Sequence, residues 1–187
     1  ISRVKEGWLV DTGSERFEAR TLVLATGAEA TAGLIRGLNS GLADALSGLP
    51  HSGVQVLHCS YDRSQGSPLN AFGALWADHG PVRGVMDLSV IMGLDGGTQY
   101  LAVYGEPDAT EQEILDEVSR VLNLTGRINI DHHLLWNNAI PQYIVGHKEI
   151  VDAIDAFEDQ HPGLHLIGTY RGGVSIADRV LQGAGTA

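Results

Sequence analysis

The chain of 187 residues has little cysteine, few bases and no long apolar run. Its single cysteine, Cys59, excludes an internal disulfide and favours a reducing compartment. Cys59 lies in an apolar strand pattern and reads as a small core residue. The 12 basic residues face 23 acids, a net charge of −11. That balance argues against a nucleic-acid backbone or an anionic membrane as the main partner. No stretch reaches the ~18 apolar residues of a membrane-spanning helix. The dinucleotide fingerprint G-x-G-x-x-G is absent, and neither "GLDGG" nor "GTYRGGVSIAD" replaces it. There is no H-E-x-x-H, no cysteine pair and no G-x-S-x-G elbow, so neither a zinc site nor a serine hydrolase is supported. Asp131, His132, His133 and His147 invite a metal reading, but adjacent histidines on a strand point to opposite faces. No metal is expected. An initiator methionine is also missing. The opening "ISRVKEGWLV" starts inside a strand pattern, which suggests a fragment of a longer protein.

Hydrophobic residues make up 43% of the chain, enough for one sizeable core or two small ones. Residues 1–5, 8–11 and 17–25 read as strands, and Leu22–Ala25 as a run buried on both faces. Weak helices are expected over 29–38 and 41–49. Four strands follow, at 53–62, 70–78, 82–92 and 98–105, separated by Ser67-Pro68, His79-Gly80-Pro81 and Asp95-Gly96-Gly97. Short spacers imply hairpins and an antiparallel meander. Asp87 stands in an otherwise apolar strand, either on its solvent face or as a functional carboxylate. Asp108 and Glu111 suggest a capping box opening a helix with Ile114, Leu115, Val118, Val121 and Leu122 on its apolar face. Residues 127–136 read as a further strand, with Trp136 at its end as a core residue on pattern alone.

The last stretch is the most organised. His147–Gln160 is an amphipathic helix with Ile150, Val151, Ile154 and Phe157 on one side, stopped by His161-Pro162-Gly163. Leu164–Gly168 has strand length. Gly172-Gly173 allows a tight turn before a second helix near Ser175. A strand, a glycine turn and a helix N-terminus in succession present free N–H groups and partial positive charge. An ordinary turn and a ligand approach both remain open from this spacing.

One composite pattern is more specific: Trp136, Ile140-Pro141-Gln142-Tyr143, Gly146-His147, Pro162-Gly163-Leu164, Gly168, Tyr170, Gly172 and Val174–Ile176 with Asp178. It resembles the protoporphyrinogen oxidase family of the flavin-containing amine oxidase superfamily, in its C-terminal part. "TLVLATGAEATAGLI" is similar to that family's return from the flavin domain to the substrate domain. The resemblance implies a mixed α/β and α+β fold, with part of an FAD-binding Rossmann-like domain interleaved with an antiparallel-sheet substrate domain. The implied division is 1–38 and 135–187 for the FAD domain and 39–134 for the substrate domain. FAD is the implied cofactor, with Trp136, Gly172, Gly173, Val174, Ser175 and Ile176 against it. Phe72, Leu75, Met86 and Leu88 are candidates to wall an apolar porphyrinogen cavity. No catalytic side chain is assigned.

The implied reaction of the full protein is oxidation of protoporphyrinogen IX to protoporphyrin IX in haem biosynthesis, with the fragment inactive alone. A coproporphyrinogen-using relative, another amine-oxidase-like dehydrogenase, and a non-catalytic binding domain derived from a flavoenzyme are the alternatives. The implied partners are the porphyrinogen and the missing N-terminal half of the same protein. No nucleic acid is expected; a homodimer and a peripheral membrane contact stay open. The implied location is cytoplasmic or at the membrane periphery.

Overall fold

In the computed structural model, which describes residues 1–66, 69, 71–77 and 80–185, strands and helices build two separate hydrophobic cores. Ser67, Pro68, Asn70, Asp78 and His79, which carried expected spacers and strand ends, lie outside the described residues, as do Thr186 and Ala187.

In chain order, β1 (Ser2–Val4), β2 (Gly7–Asp11) and β3 (Arg16–Ala19) form an antiparallel three-stranded sheet. β4 (Leu22–Leu24) follows, then α1 (Ala28–Ile35) and α2 (Ser40–Ser47). A long β5 (His51–Asp62), a short β6 (Gly73–Leu75), β7 (Val82–Asp87), α3 (Leu88–Met92) and β8 (Thr98–Gly105) come next. α4 (Glu111–Val121) and β9 (Asn129–Pro141) precede α5 (His147–Gln160), β10 (Leu164–Leu166) and α6 (Ile176–Ala184).

The first compact unit comprises residues 1–51 and 140–187, and the second residues 52–139. The expected boundaries at 38/39 and 134/135 therefore move. Leu42, Ala43, Leu46 and Leu49 pack in the same core as Trp8, Ile35, Phe157 and Tyr170, so α2 belongs to the first unit.

In that first unit, β10 pairs in parallel with β4, Leu164 opposite Leu22 and Leu166 opposite Leu24. The expected single strand over 17–25 is thus two strands. β3 is committed to an antiparallel partner, β4 to a parallel one in another sheet, and the chain turns between them. β4 is not buried on both faces: Leu24 is buried while Val23 is exposed. α2 is capped by the Asn39 side chain, which accepts from the Leu42 N–H at 2.9 Å. α5 buries Ile154 and Phe157, spaced to fall on one stripe. Fully buried side chains of this size contribute about 1.5–3 kcal/mol each, and Trp8, Phe157, Leu164 and Tyr170 are all at 1% exposure or less.

The second unit holds a five-stranded sheet in the order β6-β7-β8-β5-β9. β6, β7 and β8 form an antiparallel meander, but β5 pairs antiparallel along the far edge of β8 and not with β6, so the expected run of successive hairpins is broken at its first step. α4 covers one face through Ile114 and Val118, against Leu57, Cys59, Leu101 and Val103. Its cap is Thr110 with Glu113, two residues later than expected. Thr110 Oγ1 accepts from the Glu113 N–H at 3.3 Å, and Glu113 Oε2 accepts from the Thr110 N–H at 2.8 Å. Val121 lies exposed, because the helix turns that position away from the sheet.

The expected strand over 82–92 breaks after Asp87. That carboxylate caps the short helix α3, accepting from the Val90 N–H at 3.0 Å. Asp87 is fully buried, which overturns its placement on the solvent face. The backbone turns there because a buried carboxylate needs donors, and the Val90 N–H and the Gln99 amide supply them. Trp136 is likewise not a core residue. β9 continues to Pro141, leaving Trp136 mid-strand and 48% exposed beside Leu134 and Leu135.

Candidate functional site

The segment after β10 is built around its carbonyl oxygens. Tyr170 anchors it, fully buried in the first core, its hydroxyl 3.4 Å from Thr31 Oγ1. Arg171 ties it to α5. Its guanidinium donates to Glu158 Oε1 at 2.6 Å and to the Leu166 carbonyl at 2.8 Å, and pairs with Asp155 as well. Arg179, from the first turns of α6, reaches back under the glycine turn. It donates to the carbonyls of Gly168, Gly172 and Gly173, the last at 2.7 Å, and to Gln182 Oε1 at 2.5 Å. Tyr143 closes the other side. Its hydroxyl is shared between the carbonyls of Thr169 and Gly173, the latter at 2.9 Å. Its ring stacks on His147 with centroids 4.3 Å apart.

Gly173 adopts a left-handed backbone, φ +71°, and a Cβ there would meet the Asp178 side chain at 2.2 Å. A Cβ on Gly172 would meet nothing within 4 Å, so that face of the turn is open. Ser175 caps α6: its Oγ accepts from the Asp178 N–H at 3.1 Å, and Asp178 Oδ2 accepts from the Ser175 N–H at 3.0 Å. Those bonds from the Ser175 side chain and backbone hold the Asp178 carboxyl below the usual carboxylate range.

What remains uncommitted is a set of donors. Among the described residues, the backbone N–H groups of Gly172, Gly173, Val174, Ile176 and Ala177 have no acceptor in the chain. The side chains of Val174 and Ile176 point to solvent at 54% and 84% exposure. α6 presents Ile176, Val180 and Leu181 outward, while Asp178, Arg179 and Gln182 face the turn. A chain with free N–H groups, no side chain at its open glycine and apolar neighbours suits a flat, partly apolar group with a hydrogen-bond-accepting edge. The expected set Gly172, Gly173, Val174, Ser175 and Ile176 is brought together here. Trp136 belongs to the second unit. Sequence reading missed Arg179 and Tyr143 as the side chains that fix the turn. The signal was present in part, since Tyr143 stood inside the composite pattern.

In the second unit, Phe72, Leu75 and Met86 line one apolar groove of about 450 Å³ together with Gly73, Ala74, Val85 and Tyr104. The groove forms because β6 and β7 pair with Gly73 opposite Met86 and Leu75 opposite Gly84. Phe72 and Leu75 are 65% and 90% exposed, an apolar surface uncovered by the described residues. Tyr104 Oη lies 3.2 Å from Met86 Sδ and fixes that side chain. Leu88 is not in this lining; it opens α3. Tyr104 was not expected, although its position on β8 directly across from Gly84 places it there. Another cavity of the same unit is walled by Glu106, Asp108, Glu113, Asp116 and Glu117 with Arg120, which pairs with Glu117, so its lining is net acidic.

His133 Nδ1 meets Glu111 Oε1 at 2.7 Å, and His132 packs edge-on against His58. Among the described residues no helix is long and apolar enough to cross a membrane.

No family model matches the chain. It is 28% identical over 109 residues to protoporphyrinogen oxidase 2 of Arabidopsis thaliana, covering 57% of this chain and 21% of that protein. It is 24% identical over 156 residues to coproporphyrinogen III oxidase of Bacillus subtilis, covering 78% of this chain and 32% of that one. The chain thus spans about a third or less of these curated relatives. Among solved structures, a candidate protoporphyrinogen oxidase from Exiguobacterium superposes with a TM-score of 0.73 at 14% identity, over 99% of this chain and 45% of that one. At that identity the likeness is one of fold alone.

Proposed function

We propose, from the resemblance of this chain to the protoporphyrinogen and coproporphyrinogen oxidases over a partial, C-terminal-like region, that it is the C-terminal part of an FAD-dependent oxidase acting on a porphyrinogen. The observation that carries this reading is the open glycine turn at Gly172-Gly173, with its uncommitted N–H groups from Gly172 to Ala177. Bound FAD would supply the acceptance of hydride from the substrate. The chain's own part is to hold it. Gly172 leaves room for the ring to approach the backbone. The free N–H groups and the α6 N-terminus offer donors to an electron-rich edge, an interaction of about 0.3–2 kcal/mol at a helix terminus.

The groove of Phe72, Leu75, Met86 and Tyr104 is the wall offered to the tetrapyrrole. An apolar macrocycle gains about 25 cal/mol for each Å² removed from water. The substrate favoured is protoporphyrinogen IX, in haem biosynthesis. Coproporphyrinogen is the second reading, favoured by the Bacillus subtilis relative, which aligns over more of this chain than the Arabidopsis one. The remainder of the FAD site is assigned to sequence that this chain does not contain.

The test is purification of the full-length protein, followed by its absorption spectrum and its turnover of the two porphyrinogens in parallel. A flavin spectrum with faster oxidation of protoporphyrinogen is expected. Faster oxidation of coproporphyrinogen selects the second reading. A colourless protein, or one that oxidises neither, defeats the proposal.

A further inference from the structure

Arg171 and Arg179 both brace the loop between β10 and α6, but their charges are treated differently. Arg171 is neutralised by Asp155 and Glu158. Arg179 donates to three backbone carbonyls and one amide oxygen, and its Nε is buried without a partner. Among the described residues no carboxylate pairs with it. The neighbouring Asp178 is occupied instead by the hydroxyl and N–H of Ser175. A full positive charge is therefore fixed beneath Gly172 and Gly173, and a full negative charge is fixed in the first turn of α6.

We infer that Arg179 is a positioning and redox-tuning residue whose charge, held by carbonyl oxygens and not by an ion pair, favours the reduced, more negative form of a flavin at the glycine turn, with Asp178 acting in the opposite sense. The inference rests on the flavin reading above. Its physical basis is general: charges held in a partly buried, low-dielectric setting act on a nearby redox group far more strongly than the same charges in water, and the carbonyl cage prevents the guanidinium from swinging out to be solvated. Arg179 also sets geometry, because its fork spans Gly168 and Gly172-Gly173 at once. Geometry and charge are separable by substitution. Lysine keeps the charge and loses the fork. Glutamine loses the charge. Asp178→Asn removes the opposing charge while its amide oxygen still accepts from Ser175.

The experiment is a potentiometric titration of bound flavin in the full-length holoprotein and three variants. Arg179→Gln should shift the equilibrium about tenfold toward the oxidised flavin, ~30 mV for a two-electron couple. Arg179→Lys should stay within about threefold of the wild type, ~15 mV by the same constant. Asp178→Asn should shift toward the reduced form. Equal shifts in both arginine variants overturn the inference, as does a shift in Asp178→Asn of the same sign as in Arg179→Gln, or no shift in any variant. Should Arg179→Gln fail to retain flavin, a shift of Asp178→Asn toward the reduced form beside a near-wild-type Arg179→Lys supports the inference, and a shift of Asp178→Asn toward the oxidised form, or none, overturns it. Absence of flavin from the wild-type protein would instead defeat the function proposed above.

Discussion

The hydroxyl of Tyr143 lies 2.9 Å from the carbonyl oxygen of Gly173, thirty residues further along the chain. This bond fastens the connection between β9 and α5 to the turn that precedes α6. Burial raises the Tyr143 phenol above its ordinary value, so the hydroxyl keeps its proton through neutral pH. Tyr143→Phe removes the donor and keeps the ring stacked on His147. The expected loss is about 0.5–1.5 kcal/mol, the net worth of one such bond, read as a lower urea midpoint. If the turn holds the flavin as proposed, flavin in the full-length protein should dissociate more readily by up to about tenfold, ~1.4 kcal/mol. Unchanged flavin affinity in a destabilised variant would show that the bond braces the fold without shaping the turn.

That bond also marks what the sequence could and could not disclose. Periodicity located α5, β8 and the Ser175 start of α6, because apolar spacing and a capping serine are local signals. Resemblance identified Tyr143 and the glycine turn as belonging together. The partner of the Tyr143 hydroxyl was not legible, since it depends on how a distant loop lies. The same limit explains the misplaced α4 cap: Asp108 and Thr110 both precede a glutamate at the right spacing, and local pattern cannot choose between them. The break of 82–92 at Asp87 was hidden by the apolar run "LSVIM", which reads as strand until the capping carboxylate is seen. Trp136 was placed in the core as a strand-end residue on pattern alone, whereas β9 runs on to Pro141 and leaves it 48% exposed.

Asp87 makes a prediction about stability. Its Oδ1 accepts from the Val90 N–H and from the Gln99 amide, itself 1% exposed, while Oδ2 is buried without a partner. Asp87→Ala leaves two donors unmet, losing a cap of ~1 kcal/mol and a buried partner of ~1–3 kcal/mol. A total near 2–4 kcal/mol is expected in chemical denaturation of the protein. Asp87→Asn keeps an acceptor and should cost clearly less. Equal losses in the two variants would mean that the negative charge, and not the acceptor, matters at this position.

Leu75 tests the groove separately from the fold. At 90% exposure it supports no core, so Leu75→Ser should change stability by less than ~0.5 kcal/mol. If the groove of Phe72, Leu75 and Met86 receives the tetrapyrrole, the same substitution removes about 1.5–3 kcal/mol of apolar contact from the complex. KM for the porphyrinogen should then rise about tenfold or more at unchanged melting temperature. A wild-type KM would remove this groove from the substrate site and leave the flavin reading intact.

Cys59 gives a prediction with a defined pH window. It is 1% exposed on β5, and burial, reinforced by the charges of Asp131 and Glu111, pushes its thiol from an ordinary 9.0 up to about 12. Folded protein therefore holds this proton while the unfolded chain releases it. Between roughly pH 9 and 12 the unfolded state binds fewer protons, so stability declines as pH rises through that interval and is untouched by this group below it. At neutral pH the native thiol should resist alkylation by iodoacetamide and react only after unfolding, because the thiolate is the nucleophile. Cys59→Ala should flatten the decline between pH 9 and 12 while costing some packing at every pH. Rapid alkylation of the native protein at pH 7.5 would contradict the buried position of Cys59 against α4.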